Sequence, residues 1–433
     1  MAAEKQNIMI FSLKIRAFIA LQLYRFAYTL AMVPAVLCLP LLRRYSRRLR
    51  EGISDYLGFV SPIAERPSFW VHGVSMGESM VSAGFAVELK KRFPGHQIVF
   101  TTTHPEVLAM VKKRHIADAV AYFPLDNFLT MANAFRRWKP EAVFVAETDF
   151  WPEFSWQCYS RKIPLVLING RLSSKLASFY ASFKGLSEII FSSYTLLLVQ
   201  SEIDCCRLKS IGVDQSHIKV LGNMKADLTV TKAAGDMTDF VNWLAGRRCV
   251  VFGSLHPQEF DMLKMLFVSL VERGIAVIVA PRNLADTKRW HAELKQMLVK
   301  VAFRSDMSAQ SSFSLMILDS MGELASIYGL ASAAFVGGTL DSRVGGHNPL
   351  EVMQRKAPLL VGPYCRNFAD IISQLCACDG VIVCNSAKET EIAIDRLLTD
   401  PELARRQVES AEAVLENSRG VLEKTMLEVE GLL

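Results

Sequence analysis

The chain has 433 residues, more than one hydrophobic core usually serves, so two domains are expected. Hydrophobic residues make up 51% of it and its mean hydropathy is +0.22, which is too low for a protein with many membrane spans. Its net charge of +6 comes without a zinc-finger spacing or an RNA-binding aromatic pair, which argues against nucleic-acid binding. Nine scattered cysteines without a CxxC pair predict buried thiols in a reducing compartment, and hence a cytosolic catalytic part.

The first predicted element is a membrane anchor with a basic flank, residues 1–50. Seventeen uncharged, mostly apolar residues occupy positions 26–42, near the lower limit for crossing the hydrocarbon core of a bilayer. Five arginines follow and predict attraction to anionic lipids and a cytoplasmic location: Arg43, Arg44, Arg47, Arg48 and Arg50. Pro34 and Pro40 would kink or end a helix here, so both a spanning and an in-plane anchor stay open. The alternative is an ordinary buried helix.

Beyond the anchor, the pattern predicts an α/β protein made of two Rossmann-like doubly wound domains. Short β-branched apolar runs alternate with amphipathic stretches, which is typical of parallel sheets covered by helices. Predicted strands of the first half are 69–72, 97–101, 142–146, 165–169 and 196–200. Those of the second half are 249–253, 276–280, 314–318, 333–336, 359–361 and 381–384.

The strand signal lapses in a polar, glycine-containing segment, and this places the domain boundary. We predict a first domain over 51–230, a linker over 231–247 and a second domain over 248–400. The charged amphipathic helices of 401–433 are expected to pack back on the first domain. Two such domains would face a cleft and bind ligands at the carboxyl ends of their strands.

A candidate catalytic base follows the first predicted strand, in the run Ser75-Met76-Gly77-Glu78. A glutamate at a strand-to-helix turn can remove a proton from an attacking hydroxyl. Ser75 and Glu78 also have the spacing of a helix capping box. Spacing alone leaves the two interpretations equal.

Two further clusters in the first half carry charged side chains. Glu147 and Asp149 directly follow the strand 142–146, where they would bind an acceptor or stabilise charge, or simply cap the next helix. Lys225, in the run GNMKAD, would meet a phosphate or a sugar carboxylate, or be a solvated lysine of the linker.

The second half carries the pattern of a nucleotide-sugar site. Residues that follow its strands and are predicted to contact the donor are Ser254, Pro281, Arg282, Met321, Gly322, Glu323, Gly346, Asn348, Pro349, Leu350 and Glu351. In the run GGHNPLE the glycines would offer N–H groups to an anion, and a helix beginning near Pro349 would direct its positive end there. Glu351 would accept from two ribose hydroxyls; the alternative is a structural turn.

Several enzyme classes lack support in the sequence. The eight histidines are dispersed and no HExxH motif occurs, so no metal ligands are predicted. There is no Walker A motif, no GxGxxG opening the chain and no GxSxG elbow, which argues against ATPases, dehydrogenases and serine hydrolases.

In chain order, the motifs HGVSMGE, FPLD, ETDFWP, NGRLS, GNMKAD, GSLHPQE, APRN, DSMGEL, FVGGT, GGHNPLE and GPYCRNF resemble the 3-deoxy-D-manno-octulosonic acid (Kdo) transferases of Gram-negative bacteria. The resemblance covers residues 70–368, and the apolar, basic N-terminus is also similar to that family's anchor. Three positions depart from the family's usual residues: Met76, Asp149 and Asn283. Asn283 stands where histidine is common, which weakens a phosphate contact there.

The resemblance implies a GT-B fold and an inverting transfer of Kdo from CMP-Kdo to a lipid A precursor (lipid IVA) in lipopolysaccharide core biosynthesis. It implies that the reaction needs no metal ion and no cofactor beyond the donor. Together with the basic flank, it places the enzyme at the cytoplasmic face of the inner membrane, in contact with anionic lipids. Glu78 would be the catalytic base, and Glu147 and Lys225 would stabilise the transition state. The residues predicted above to contact the donor would bind CMP. The alternatives are another membrane-associated GT-B transferase that uses a UDP-sugar, and a degenerate scaffold at the membrane surface.

Overall fold

The computed structural model describes residues 2–38, 41, 44, 47–63, 66–227, 237–297, 300–306 and 313–433. Contacts divide the chain into two compact units. Unit 1 comprises Met1–Asp227 and Gly420–Leu433, and unit 2 comprises Leu228–Arg419. Parts of the predicted anchor and its flank (1, 39, 40, 42, 43, 45 and 46), the end of the predicted first domain (228–230) and part of the predicted linker (231–236) lie outside the described residues.

Unit 1 is built on a parallel sheet of seven strands in the order β3-β2-β1-β4-β5-β6-β7. The strands are β1 (Ser68–Gly73), β2 (Gln97–Thr102), β3 (Ala119–Tyr122), β4 (Pro140–Ala146), β5 (Leu165–Gly170), β6 (Leu196–Val199) and β7 (Ile218–Val220). The central strands are buried on both faces, which is why they read as continuous apolar runs. The strand order reverses between β1 and β4, and in this topology ligands bind beyond the carboxyl ends of those two strands.

The helices of unit 1 that precede unit 2 are α1 (Ala2–Leu37), α2 (Arg47–Tyr56), α3 (Met76–Arg92), α4 (Pro105–Lys113), α5 (Phe128–Trp138), α6 (Pro152–Arg161), α7 (Ser174–Ser182), α8 (Lys184–Ser192) and α9 (Glu202–Ser210). Their starts have local causes: Ser75, Asn127 and Ser201 accept from backbone N–H groups of the first turn, and α4 and α6 begin at proline.

Unit 2 repeats the same architecture, with the strand order β10-β11-β9-β8-β12-β13-β14, all parallel. Its strands are β8 (Cys249–Leu255), β9 (Ala276–Pro281), β10 (Val301–Phe303), β11 (Leu315–Ile317), β12 (Ala333–Val336), β13 (Leu359–Val361) and β14 (Ile382–Val383). Its helices are α10 (Thr238–Leu244), α11 (Pro257–Glu272), α12 (Thr287–Gln296), α13 (Leu324–Ile327), α14 (Leu350–Met353), α15 (Ala369–Ala377), α16 (Ala387–Thr399) and α17 (Pro401–Asn417). The prediction of two doubly wound α/β domains is confirmed.

The last helix, α18 (Val421–Glu430), belongs to unit 1, whereas α17 belongs to unit 2. The carboxylate of Asp227 accepts from the backbone N–H groups of Gly420 and Leu422, both at 2.6 Å. On α3, Arg92 binds the carboxylates of Glu423 and Glu430. The segment 401–433 is therefore divided at residue 419.

Helix α1 is longer than the predicted apolar run 26–42 and begins earlier in the chain. It continues through Pro34, and its segment Ile15–Pro34 is, by length and composition, apolar enough to cross a bilayer. Arg25, which interrupts the apolar sequence, forms an ion pair with Glu153 of α6. An arginine in this position therefore does not end the apolar helix, because its charge is neutralised on unit 1.

The thiols differ in part from the prediction. All nine cysteines are free, but only Cys158, Cys205, Cys249 and Cys384 are buried. Burial raises the pKa of Cys249 to about 12, as expected for an inert core thiol.

Candidate active site

The first cluster lies at the carboxyl ends of β1 and β4 of unit 1, at the point where the strand order reverses. Glu78 is in the first turn of α3, which follows β1, and Glu147 directly follows β4. Lys225 lies in a short 3-10 helix, Met224–Ala226, after β7. The fold brings together the three residues that the sequence singled out.

Glu78 completes the predicted capping box of α3. Its Oε2 accepts from the backbone N–H groups of Ser75 (2.8 Å) and Val74 (3.1 Å), and the Ser75 hydroxyl accepts from the N–H of Glu78. Its Oε1 accepts from the hydroxyl of Thr148 at 3.3 Å. Because one oxygen fixes the carboxylate and the other has a neutral partner, the capping role is compatible with a role as a base.

Glu147 and Lys225 form a close ion pair. Lys225 Nζ lies 2.6 Å from Glu147 Oε1, and this carboxylate also accepts from the side-chain amide of Asn169 at 3.2 Å. Glu147 adopts a left-handed backbone conformation with φ of 60°. Gly77 faces the lysine, since a Cβ built there would lie 3.8 Å from Lys225 Nζ. The positive charge of Lys225 is therefore beside the turn that carries Glu78.

Asp149 is held by a buried histidine. His72 Nε2 lies 2.6 Å from Asp149 Oδ2, and His72 Nδ1 is within hydrogen-bond distance of the carbonyl and hydroxyl oxygens of Thr101. The ring of His72 stacks on Phe123 at 3.9 Å. These contacts fix the orientation of Asp149 at the edge of the cluster.

The surroundings of Glu78 make its carboxylate a stronger base than that of an exposed glutamate. Burial raises the pKa of Glu78, and the negative charges of Glu147 and Asp149 act in the same direction, against the hydrogen bond from Ser75. A raised pKa is typical of carboxylates that exchange protons with a substrate.

The second cluster lies at the carboxyl ends of β8 and β12 of unit 2, where that sheet also reverses its strand order. Gly253 is required in β8, because a Cβ there would lie 1.8 Å from the hydroxyl oxygen of Tyr328. Ser254 follows with a φ of 58°, which turns the chain at the strand end. The predicted site residue Pro281 ends the neighbouring strand β9, and Arg282 directly follows it.

Two glycines of unit 2, Gly338 and Gly346, donate their N–H groups to acceptors within the unit. The N–H groups of Gly338 and Thr339 donate to the carboxylate of Glu259 at 2.7 and 2.9 Å, and the N–H of Gly346 donates to the carbonyl of Gly338 at 2.7 Å. Glu259 is fully buried and also accepts from the N–H of Leu340. The anion contact was predicted for the glycines of the run GGHNPLE; of these, Gly346 has its N–H bound within unit 2, and the contact at Gly345 stays a prediction.

The run from Asn348 to Glu351 forms a single helical turn. The Asn348 side chain accepts from the N–H of Leu350 at 3.2 Å and donates to Glu351 Oε1 at 3.3 Å. Pro349 precedes α14, which has only four residues, so the predicted helix dipole is that of one turn. Burial raises the pKa of Glu351, while Asn348 and the charge of Arg282 act against it.

Arg282 acts electrostatically on two residues of this run. Its charge opposes the effect of burial, which raises the pKa of Glu351, and it adds to the effect of burial that lowers the pKa of His347 to about 4. His347 Nε2 lies 2.9 Å from His256 Nε2, and the two rings are stacked. A neutral His347 beside the cation of Arg282 is therefore expected at pH 7.

The predicted site residues 321–323 lie in the turn before α13. Met321 is exposed and Gly322 has a φ of 90°. The carboxylate of Glu323 binds Arg304 at 3.2 Å and accepts from the hydroxyl of Ser320. After β9, the side chain of Asn283 caps the short 3-10 helix Leu284–Asp286 by accepting from the N–H of Ala285. Glu323 is thus already paired, and a contact with a ligand would have to share it.

Sequence reasoning missed the residues that hold these clusters in place. Glu259 stands three positions after His256 in the run GSLHPQE, a capping-box spacing that could have pointed to it. Asn169, at the end of β5, joins Glu147 to the backbone N–H of Met224 and has a positive φ. Within the described part of the chain, no three His, Cys, Asp or Glu residues gather as a metal site would require.

Both units of the chain are similar in sequence to known proteins. Residues 51–228 match the family model of 3-deoxy-D-manno-octulosonic-acid transferase (kdotransferase). The 3-deoxy-D-manno-octulosonic acid transferase of Haemophilus influenzae is 29% identical over 418 residues, which is 93% of this chain and 97% of that protein. The similarity therefore extends through both units.

Two solved structures are also similar. The C-terminal CMP-Kdo binding domain of WaaA from Acinetobacter baumannii is 30% identical, with a TM-score of 0.39; the match covers 43% of this chain and 97% of that one. The UDP-GlcNAc 2-epimerase of Neisseria meningitidis is 14% identical with a TM-score of 0.59, over 83% of this chain and all of that one (100%). The second likeness, with the two parallel sheets, confirms the GT-B fold.

Proposed function

The chain belongs to the 3-deoxy-D-manno-octulosonic acid (Kdo) transferase family, and we propose that it transfers Kdo from CMP-Kdo to a lipid A precursor such as lipid IVA. The observation that carries the catalytic part is the grouping of Glu78, Glu147 and Lys225 where the sheet of unit 1 reverses its strand order. Of the two glutamates, Glu147 is bound to a cation, whereas Glu78 accepts from backbone and hydroxyl groups.

In the proposed reaction Glu78 Oε1 removes the proton of the acceptor hydroxyl. The acceptor oxygen then forms a bond to the anomeric carbon of Kdo, while the bond from that carbon to the phosphate oxygen of CMP breaks. The configuration inverts in this single displacement, and CMP leaves as an anion with both electrons of the broken bond. Lys225 places a positive charge beside the turn that carries Glu78. This charge would bind the carboxylate of Kdo and stabilise negative charge that develops in the transition state.

For unit 2 we propose binding of the CMP part of the donor. Arg282 has the charge that a phosphate requires, and Glu351 is the acceptor for ribose hydroxyls. Ser254, Met321, Gly322 and the turn that contains Gly346 and Pro349 would shape the nucleotide pocket. Leu350 belongs to the same turn, and its side chain is buried.

The apolar segment of α1 supports a membrane location, and we propose that the enzyme works at the cytoplasmic face of the inner membrane. Exposed Arg44 and Arg50 follow the anchor and suit anionic lipids. The acceptor is itself a membrane lipid, so an anchored enzyme meets it on a shared surface.

The full-length protein with CMP-Kdo and lipid IVA is expected to yield a product heavier by whole Kdo residues, with release of CMP. Mass spectrometry of the product lipid measures this and counts the residues added. EDTA should leave the rate unchanged, and CMP should bind more tightly than UDP in calorimetry. Tighter binding of UDP would favour a UDP-sugar transferase, and absence of turnover with intact CMP binding would favour a scaffold.

Glu351→Ala is expected to weaken CMP binding by about ten- to a hundredfold. Loss of a charged hydrogen bond costs about 1.5–3 kcal/mol, and each 1.4 kcal/mol is tenfold in affinity. Calorimetric titration of CMP measures the change. Glu416→Ala, an exposed residue of α17, is the matched control and should bind CMP like the parent. An unchanged dissociation constant in the folded Glu351 variant would assign that residue to the turn alone.

A further inference from the structure

Helix α1 packs along the surface of unit 1 through one face. Of its described side chains, the least exposed are at positions 17, 20, 21, 24, 25, 28 and 32, a spacing of three and four residues. Leu21 is fully buried. The helix crosses α8 closely at Gly185, where an added Cβ would lie 2.9 Å from the Cβ of Ala20. Any side chain at position 185 would meet Ala20, so these two positions are in direct contact.

The docked face is held by an unusually polar set of contacts. Arg25 donates to both carboxylate oxygens of Glu153, at 2.7 and 3.0 Å, and Glu153 is fully buried. The Tyr24 hydroxyl donates to Asp126 Oδ2 at 2.7 Å, and the Tyr28 hydroxyl accepts from the N–H of Asp126 at 3.2 Å. We call these five residues the anchor latch.

The carboxylates of the anchor latch are fixed from below by unit 1. Asp126 also accepts from the backbone N–H groups of Glu153 and Phe154, at 2.9 and 2.8 Å. Gln157 donates to Glu153 Oε1 at 2.6 Å. Contacts within unit 1 therefore fix the orientation of both carboxylates. Withdrawal of α1 would leave Glu153 buried without its cation.

The outward face of α1 is apolar. Large hydrophobic side chains that are about half exposed or more follow each other along it: Ile15, Phe18, Ile19, Leu23, Phe26, Leu30 and Val33. The neighbouring surface of unit 1 continues this character with Phe128, Leu129, Phe179 and Phe183. A helix that directs its polar groups inward and its apolar groups outward has the reverse of the pattern expected in water.

We propose that α1 lies in the plane of the membrane interface, held flat on unit 1 by the anchor latch, and does not cross the bilayer. The occupant of the apolar face is a lipid surface, because exposed Arg16, Arg44 and Arg50 accompany it and suit anionic headgroups. Crossing the bilayer would require residues 15–34 to leave unit 1, which would separate Arg25 from Glu153. The inference rests on the membrane location proposed above and adds how the helix is held.

A cross-link tests the docked position in the membrane. The double variant Ala20→Cys/Gly185→Cys brings two thiols together only if α1 remains beside α8. Disulfides need Cβ atoms within about 3.5–4.5 Å, and from the 2.9 Å separation here the helix can yield by about an ångström and still link. In full-length protein bound to phosphatidylethanolamine–phosphatidylglycerol vesicles, mild oxidation should link the two segments in most molecules. Proteolysis followed by nonreducing electrophoresis measures this. Ile19→Cys/Gly185→Cys is the matched control, because residue 19 is on the outward face and should not link.

The linked enzyme should float with the vesicles at high salt and keep its Kdo transfer rate within about twofold. Glu153→Gln, which keeps the shape of the latch but removes its charge, should lower the yield of linking in vesicles several-fold, whereas the exposed Glu106→Gln should not. Linking in detergent but not in vesicles would overturn the proposal, as would a linked enzyme that no longer floats or a dimer that buries the apolar face without binding lipid. Transfer measured in detergent reports the proposed reaction separately from these outcomes.

Discussion

Glu78→Gln is expected to lower the rate of Kdo transfer by about 10²–10⁴-fold, the usual effect of losing a general base. A glutamine oxygen can still accept from the N–H groups of Ser75 and Val74, so the capping box and the fold should persist. Binding of CMP-Kdo should stay close to that of the parent, because the nucleotide residues belong to unit 2. Single-turnover kinetics and calorimetry separate the two effects.

Glu88→Gln is the matched control, since Glu88 is on the same helix and pairs with Lys91 and Arg92 at the surface. It should transfer Kdo at the parental rate. A Glu78→Gln enzyme within a few-fold of the parent would leave Glu78 with its capping role only.

The pH profile gives an independent measure of the same residue. A base acts as the carboxylate, so activity is lost as the pH falls through the pKa of Glu78, and burial raises that pKa above the usual value for glutamate. The acidic limb of kcat/KM should therefore lie above the value for an exposed glutamate. A limb at or below that value would contradict the assignment.

Glu259→Gln should lower the free energy of unfolding by about 2–6 kcal/mol, because each unsatisfied buried N–H group costs about 1–3 kcal/mol. Glu259 Oε2 accepts from the N–H groups of His256 and Gly338, and Oε1 from those of Thr339 and Leu340. A glutamine amide can replace an oxygen at only one of these pairs, so two donors lose their acceptor.

A melting temperature lower by at least about 4 °C is expected, given about 2–4 °C per kcal/mol for a unit of this size. CMP affinity should fall as well, because the glycine loop after β12 loses its support. Glu272→Gln, at the exposed end of the same helix, should change neither. Parental melting and parental CMP affinity in Glu259→Gln would show that the loop does not depend on this carboxylate.

The buried strands were predictable because they are continuous apolar runs. Of the three strands that the sequence pattern missed, β3, β7 and β10, each lies at an edge of its sheet and is short and only partly buried. Edge strands bury fewer side chains and so carry a weaker hydrophobic pattern. The same effect explains why the predicted strand 381–384 is two residues longer than β14, which is another edge strand.

Site prediction succeeded for residue types and failed for partners. Glu78, Glu147 and Lys225 could be chosen because strand ends in this topology converge. Their partners could not be predicted: nothing in local spacing indicates that Lys225 binds Glu147 across 78 positions of chain, or that Glu259 accepts from the N–H of Gly338. Long-range hydrogen bonds depend on register and packing, which a single sequence does not display.

The contact of Asp227 with Gly420 means that unit 2 is an insertion in the chain of unit 1, with its entry and exit points bonded side by side. During synthesis, residues 228–419 leave the ribosome before α18 exists, and domains generally fold as units as they emerge. Unit 2 can thus fold before Arg92 and Asp227 form their contacts with α18. A chain that stops near residue 419 would keep the whole inserted unit and leave the host unit unfinished.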